Sequence, residues 1–177
     1  MATNVNSLYY TDVMDDKVFK MDYNGNNLSN STLKSQVSLL STQPGSEEFY
    51  YSWDWYPTFI SRSSDPAVLA IPSTPPAAMT LNPASGAVYY LDEKNTVVKK
   101  KIPGVKEPET VLHDSNGIVG IVFVDGKLYY GGKTSPAIRA FDLASRQTFS
   151  VPFSSGQSWP IGYSNTPAPK DGANKGL

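Results

Sequence analysis

Pairs of adjacent tyrosines recur along this 177-residue chain at a nearly constant interval. The pairs are Tyr9-Tyr10, Tyr50-Tyr51, Tyr89-Tyr90 and Tyr129-Tyr130, which lie 41, 39 and 40 residues apart. About ten residues after each pair, an apolar run carries a basic side chain; these are, in order, Lys20, Arg62, Lys99 and Arg139. Because several features repeat together, the spacing indicates a repeat architecture with a unit of about 40 residues.

Each unit divides into short runs of β-branched and aromatic residues, and glycine and proline occur too often for long helices. Four short strands in about 40 residues are typical of a propeller blade, a sheet that buries its faces only by stacking on neighbouring sheets. The sequence therefore predicts an all-β fold, a β-propeller of four blades. The predicted inner strands are Gln36–Gln43, Ala77–Pro83, Ile118–Val124 and Trp159–Asn165.

The first and last predicted strands indicate how the ring closes. No inner strand is predicted before the first tyrosine-bearing strand, Ser7–Val13, and no tyrosine-bearing strand follows Trp159–Asn165. We therefore expect the C-terminal strand to complete the N-terminal blade, which removes free sheet edges. This closure gives one propeller domain over residues 1–165 and a flexible tail over residues 166–177. The alternatives are a partial propeller completed by self-association and a fragment of a longer protein.

The segment "LYYTDVMDDKVFKMDYNGN" (8–26) resembles the repeat of the low-density-lipoprotein-receptor (YWTD-type) propellers. Tyr9-Tyr10-Thr11-Asp12 corresponds to the Tyr-Trp-Thr-Asp core of that repeat, and "KMDYNGN" to the run that ends near Asp-Gly. The likeness is clear over residues 7–27; elsewhere only Tyr89-Tyr90-Leu91-Asp92 keeps the acidic residue. The resemblance implies a propeller. It carries over no ligand or receptor role, because that family closes with six blades.

The composition argues against several classes of function. A net charge of −1, with 18% charged residues, provides no basic surface for a phosphate backbone, so we expect no nucleic-acid partner. The absence of cysteine removes disulfides and thiolate chemistry. No apolar run approaches the roughly 18 residues that span a bilayer, so we expect no membrane partner. We expect a soluble, cytoplasmic protein, or a secreted one if a signal peptide has been removed.

Loops that join the second strand of a blade to the third, and the fourth to the next blade, open on one face of a propeller. These loops are "DVMDD" (12–16), "WDWYP" (53–57), "DEKNT" (92–96), "GGKTSPA" (131–137), "HDSNG" (113–117) and "SSGQSWP" (154–160). Together they are rich in carboxylates, amides and indoles. Aromatic faces stack on sugar rings, and carboxylates and amides bond to hydroxyls. We predict a non-catalytic, lectin-like module that binds a saccharide. The predicted ligand-binding residues are Asp12, Trp53, Asp54, Trp55, Asp92, Asn116 and Trp159.

These residue types also have structural interpretations. Trp53 and Trp55 alternate along an extended chain and can simply pack between blades. The three aspartates of residues 12–16 offer oxygen ligands to calcium, but their spacing does not match a calcium-binding loop, and a solvated turn is favoured. His113 and Asp114 are adjacent and point opposite ways in an extended segment, which does not favour a catalytic pair.

Two further classes of function remain open at this point. One is a propeller enzyme, either a metal-dependent hydrolase or lactonase, or a cofactor-free cyclase that holds its substrate in a reactive shape. The other is a scaffold that binds another protein. We expect no cofactor, with calcium as the candidate ion if one is bound, a small-molecule or glycan ligand, and consider a homodimer.

Overall fold

The computed structural model describes residues 2–3, 7–11, 16–33, 37–42, 47–53, 57–135 and 137–151. Within these ranges, sixteen strands form four antiparallel sheets. Every sheet consists of four strands that are consecutive in the chain and pair with their neighbours in sequence. This arrangement confirms the predicted all-β propeller architecture, with four blades in the described residues.

The four sheets follow one another along the chain. The first sheet contains β1 (Ala2–Thr3), β2 (Leu8–Thr11), β3 (Lys17–Met21) and β4 (Asn27–Thr32). The second contains β5 (Val37–Thr42), β6 (Phe49–Trp53), β7 (Ile60–Arg62) and β8 (Asp65–Ala70). The third contains β9 (Met79–Asn82), β10 (Ala87–Asp92), β11 (Val97–Lys101) and β12 (Glu109–His113). The fourth contains β13 (Ile118–Val124), β14 (Lys127–Gly132), β15 (Ile138–Asp142) and β16 (Thr148–Val151).

Three of the predicted inner strands are present as β5, β9 and β13. Strand β13 has the predicted bounds, and β9 is shorter than Ala77–Pro83. Strand β5 covers Val37–Thr42 of the predicted Gln36–Gln43, whose two end residues lie outside the described residues. The inner strands lie side by side in chain order, with β1 against β5, β5 against β9, and β9 against β13. The sheets therefore pack in series around the inner strands, as blades of a propeller do.

The expectation that no inner strand precedes Ser7–Val13 is wrong. Strand β1 pairs with β2, with Ala2 opposite Tyr9 and Thr3 opposite Leu8. A strand of two residues has no hydrophobic periodicity, so the sequence does not predict it. The C-terminal strand expected to take this position, Trp159–Asn165, and the tail at 166–177 lie outside the described residues.

The tyrosine pairs join the sheets, because adjacent residues of a strand point to opposite faces of its sheet. The first tyrosine of a pair packs against the following sheet, which applies to Tyr9, Tyr50 and Tyr89. The second tyrosine packs against the preceding sheet, which applies to Tyr51, Tyr90 and Tyr130. Three hydrophobic clusters result, each lying between two consecutive sheets. The protein is therefore held together by interfaces between sheets.

We expect Tyr90→Phe to leave the free energy of unfolding unchanged or to raise it by about 1 kcal/mol, because it removes an unpaired polar group. The Tyr90 hydroxyl is buried between the second and third sheets and has no hydrogen-bond partner in the part of the chain that the structure describes. Burial, followed by the charge of Asp92, raises the pKa of this hydroxyl, which keeps it protonated. Urea unfolding measures the effect.

The matched control is Tyr9→Phe, because the Tyr9 hydroxyl donates a hydrogen bond to Glu47 Oε2 at 3.1 Å. Loss of this bond should lower the free energy of unfolding by about 1 kcal/mol. Equal losses in the two variants would contradict the assignment of an unpaired hydroxyl to Tyr90.

Candidate functional site

Four loops are hydrogen bonded to one another, and all of them except the connector 71–78 were predicted to share one face. We call this surface the loop face; it comprises the turns 92–96 and 131–135 and the connectors 71–78 and 113–117. Asp114 N donates to Thr96 O at 2.8 Å, which joins a connector to the turn of the third sheet. Lys133 N donates to Gly117 O at 2.8 Å, which joins the same connector to the turn of the fourth sheet. These loops therefore form one continuous surface.

Asp92 anchors the connector 71–78 to the end of β10. Its side chain is buried, and its Oδ1 accepts hydrogen bonds from the backbone N and hydroxyl of Ser73, at 2.7 and 2.5 Å, and from Glu93 N at 2.9 Å. Lys99 Nζ lies 3.2 Å from Oδ2. Burial alone would raise the pKa of Asp92, but the hydrogen bonds from Ser73, Glu93 and Lys99 together hold that pKa below its usual value. The structure thus gives Asp92 a positioning role, and its contact with a ligand stays a prediction.

Asp114 forms a second polar cluster, in the connector between the third and fourth sheets. Its side chain is 6% exposed, and its Oδ2 accepts a hydrogen bond from Arg139 Nη1 at 2.6 Å. Its Oδ1 accepts from the backbone N and the side-chain Nδ2 of Asn116, at 3.0 and 3.2 Å. Arg139 lies on β15, so this ion pair fixes the connector against the fourth sheet. The guanidinium retains further N–H donors that Asp114 does not use.

A cleft with a volume of about 390 Å³ opens beside this ion pair. Its lining includes His113, Ser115, Tyr130, Arg139, Thr148 and Ser150. The side chains of His113, Ser115, Thr148 and Ser150 are exposed and make no hydrogen bond within the described residues. The volume falls in the range of small-molecule sites, about 300–1,000 Å³. The cleft therefore combines a fixed ion pair with polar side chains that are available to a ligand.

Strand register explains how the cleft residues come together. Tyr130 lies opposite Arg139, and Arg139 lies opposite Ser150, so these three side chains form a row on one face of the fourth sheet. Tyr130 is part of the cluster between the third and fourth sheets, so this face is turned toward the third sheet. His113, at the end of β12, completes the cleft from that side.

Trp53 lies in the interface between the first and second sheets. Its ring centroid is 6.4 Å from that of Tyr51 and 5.3 Å, edge-on, from that of Phe59. Its Nε1 is buried and has no hydrogen-bond partner in the described part of the chain. This position agrees with packing between blades, and stacking of Trp53 on a ligand stays a prediction.

The other predicted ligand-binding residues divide into two groups. Asn116 lies on the loop face with Asp92, next to the cleft. The remaining ones lie outside the described residues and stay predictions: Asp12, Asp54, Trp55 and Trp159. None of the eight lining residues of the cleft was among the predicted ligand-binding residues, and five of them lie outside the predicted loops: Leu112, Tyr130, Arg139, Thr148 and Ser150. The available signal was the repeated basic residue, because Lys99 and Arg139 occupy equivalent positions and each pairs with a buried loop aspartate.

Within the described ranges, no group of three or more His, Asp or Glu side chains is placed to hold a metal ion. These ranges also contain no helix of the length and apolarity needed to cross a membrane. Most of "DVMDD", residues 12–15, lies outside them, so calcium binding at that loop stays a prediction.

Comparison with known proteins shows the fold. No protein-family model matches the chain, and no curated protein sequence matches it. A solved structure is similar: a chain in a crystal structure of a nidogen/laminin complex, with a TM-score of 0.61 and 16% sequence identity. The similarity covers 81% of this chain and 57% of that one, so this chain spans little more than half the length of its structural neighbour. At this level of identity, the likeness supports the propeller architecture alone.

We expect Asp92→Asn to lower the free energy of unfolding at neutral pH by about 1–3 kcal/mol, since it removes the charge that Lys99 and the donors of Ser73 and Glu93 stabilise. The folded-state pKa of Asp92 is below the reference value of 3.8. Its carboxylate therefore stabilises the fold above pH 3.8, and this contribution disappears as the pH falls through the folded-state pKa. The difference between wild type and variant should shrink below pH 3.8 in urea unfolding.

Asp125→Asn is the matched control. Asp125 is exposed in the turn between β13 and β14, with a φ of 46° that asparagine also tolerates. Its substitution should change the free energy of unfolding by less than about 0.5 kcal/mol. A difference between Asp92→Asn and wild type that is the same at every pH would contradict the proposed role of the charge.

Proposed function

We propose that this chain is a non-catalytic binding module, a propeller of the low-density-lipoprotein-receptor (YWTD) type that binds a saccharide on its loop face. The observation that carries this proposal is the cleft beside Asp114 and Arg139. It presents a buried acceptor, a fixed donor and several unengaged hydroxyls on one surface. A saccharide offers many hydroxyls that both donate and accept hydrogen bonds, and this lining is complementary to them.

The ion pair favours binding because its geometry is set before a ligand arrives. Asp114 is held by Arg139 on one oxygen and by Asn116 on the other. A ligand hydroxyl can donate to the free lone pair of Asp114 and accept from the remaining N–H groups of Arg139. Because neither side chain needs to be ordered on binding, little conformational entropy is lost. Leu112 adds apolar surface for the carbon face of a sugar ring.

The bonding of Asp114 supports a binding role over a catalytic one. In a catalytic pair, Asp114 would orient His113 as a general base. Instead, the Asp114 carboxylate accepts hydrogen bonds from Arg139 and Asn116, and His113 makes no side-chain hydrogen bond within the described residues. The metal-dependent hydrolase and the cofactor-free cyclase stay open as alternatives, because residues 12–15, 54–56 and 154–160 of the predicted loops lie outside those residues.

A protein ligand is the second candidate. The structural neighbour comes from a complex of two proteins, and a propeller face can bind a protein as well as a glycan. The two candidate ligands differ in the surface that they would contact. A protein ligand would cover a broad surface, whereas a saccharide would depend on the cleft residues.

A glycan array of the purified chain tests the proposal, followed by calorimetric titration of the free saccharide that gives the strongest signal. We expect His113→Ala and Thr148→Val each to weaken binding of that saccharide about three- to tenfold, through loss of a hydrogen bond of about 0.7–1.4 kcal/mol. Neither change should lower the thermal stability, because both side chains are exposed.

Thr110→Val is the matched control, since Thr110 is exposed on β12 but does not line the cleft. It should bind as the wild type does. An array without a bound glycan would overturn the saccharide proposal and favour the protein candidate. Unchanged affinity in both cleft variants would place any glycan site elsewhere.

A further inference from the structure

The first and fourth sheets each have one apolar face without a neighbouring sheet in the part of the chain that the structure describes. On the first sheet this face, here called the leading face, comprises Leu8, Tyr10, Phe19 and Met21, all half-buried. On the fourth sheet the equivalent trailing face comprises Val122, Tyr129, Ala140 and Phe149. The hydrophobic clusters of the described residues include neither Tyr10 nor Tyr129.

Exposure of the tyrosines distinguishes these two faces from the interfaces within the chain. In the second and third sheets both tyrosines of the pair are at most 2% exposed, because each sheet has a neighbour on both sides. In the first sheet Tyr9 is buried, whereas Tyr10 is partly exposed and stacks on Phe19 with ring centroids 5.1 Å apart. In the fourth sheet Tyr130 is buried and Phe149, on the trailing face, is 48% exposed.

The two faces are the two halves of one interface. At every junction within the chain, the first tyrosine of one sheet and the second tyrosine of the next sheet contribute to a shared cluster. Tyr129 is a first tyrosine, and Tyr10 is a second tyrosine. The trailing face is therefore complementary to the leading face. A second copy of this chain supplies a leading face.

We propose that the chain associates head to tail with a second copy, the trailing face of each protomer packing on the leading face of its partner. Among the described residues no hydrophobic cluster joins the first sheet to the fourth, so both faces are accessible to sheets of a second chain. A contact between different faces closes on itself when the rotation between subunits allows it, and propellers of up to eight blades are known. The dimer would place four sheets from each chain around one axis.

The first test is the mass of the full chain in solution, measured by light scattering over a wide range of concentrations. The expected result is twice the chain mass of 19.3 kDa. A single-chain mass at all concentrations would overturn the proposal; it would mean that residues of the same chain cover both faces, or that the faces remain open to solvent.

Charge placed on either face tests the interface itself. Tyr10→Lys and Tyr129→Lys should each give a single-chain mass, because burying an unpaired ammonium in an apolar interface is unfavourable. Phe149→Lys provides a variant at a side chain that is already half exposed and should fold normally. The matched control is Val68→Lys, an exposed apolar residue of the second sheet that lies on neither face; it should remain dimeric. Circular dichroism verifies that each variant is folded.

Mixing the variants tests the head-to-tail arrangement. Tyr10→Lys leaves the trailing face intact, and Tyr129→Lys leaves the leading face intact, so an equimolar mixture should recover a dimer through one unmodified interface. Folded lysine variants that remain dimeric alone, or a mixture that remains monomeric, would overturn the proposal. The result is independent of saccharide binding, because the cleft is formed by residues of one chain.

Discussion

The fold depends on the alternation of side chains along a β-strand. Because neighbouring residues point to opposite faces, a tyrosine pair on each second strand supplies one large ring to the sheet before it and one to the sheet after it. The buried clusters lie between sheets. Within them, aromatic rings of neighbouring sheets are in contact, as Tyr9 and Phe49 are, with ring centroids 5.7 Å apart. No sheet encloses a core of its own in the described residues, so each one depends on its neighbours for stability.

The same repeat organises the charged groups. The basic residue of each third strand meets a carboxylate: Lys20 pairs with Glu47, Arg62 with Asp65, Lys99 with Asp92, and Arg139 with Asp114. The first two pairs involve partly exposed acids and contribute little stability. The last two involve buried aspartates that hold loops in place. Lys99 and Arg139 occupy the same position, opposite the second tyrosine of the pair, and in the fourth sheet this position is part of the cleft lining.

The positions of the strands could be predicted because the residue pattern that marks a strand lies within the strand itself. The tyrosine interval and the runs around it located β2, β5, β9 and β13, with β13 correct at both ends. The roles of Asp92 and Asp114 could not be predicted from the sequence, because their partners Ser73 and Arg139 lie 19 and 25 residues away along the chain. In a sequence, a loop aspartate that will be buried by distant residues looks the same as a solvated one. The cleft is a product of sheet packing, which the sequence specifies only indirectly.

The direction of the tyrosine pairs also bears on how such a chain changes over evolution. Each junction has a first tyrosine on one side and a second tyrosine on the other, whichever two sheets meet there. Tandem duplication or in-frame deletion of one 40-residue unit would therefore leave every remaining junction with the same chemistry. The number of units can then change without altering the chemistry of the junctions, provided that the order of faces within each unit is kept.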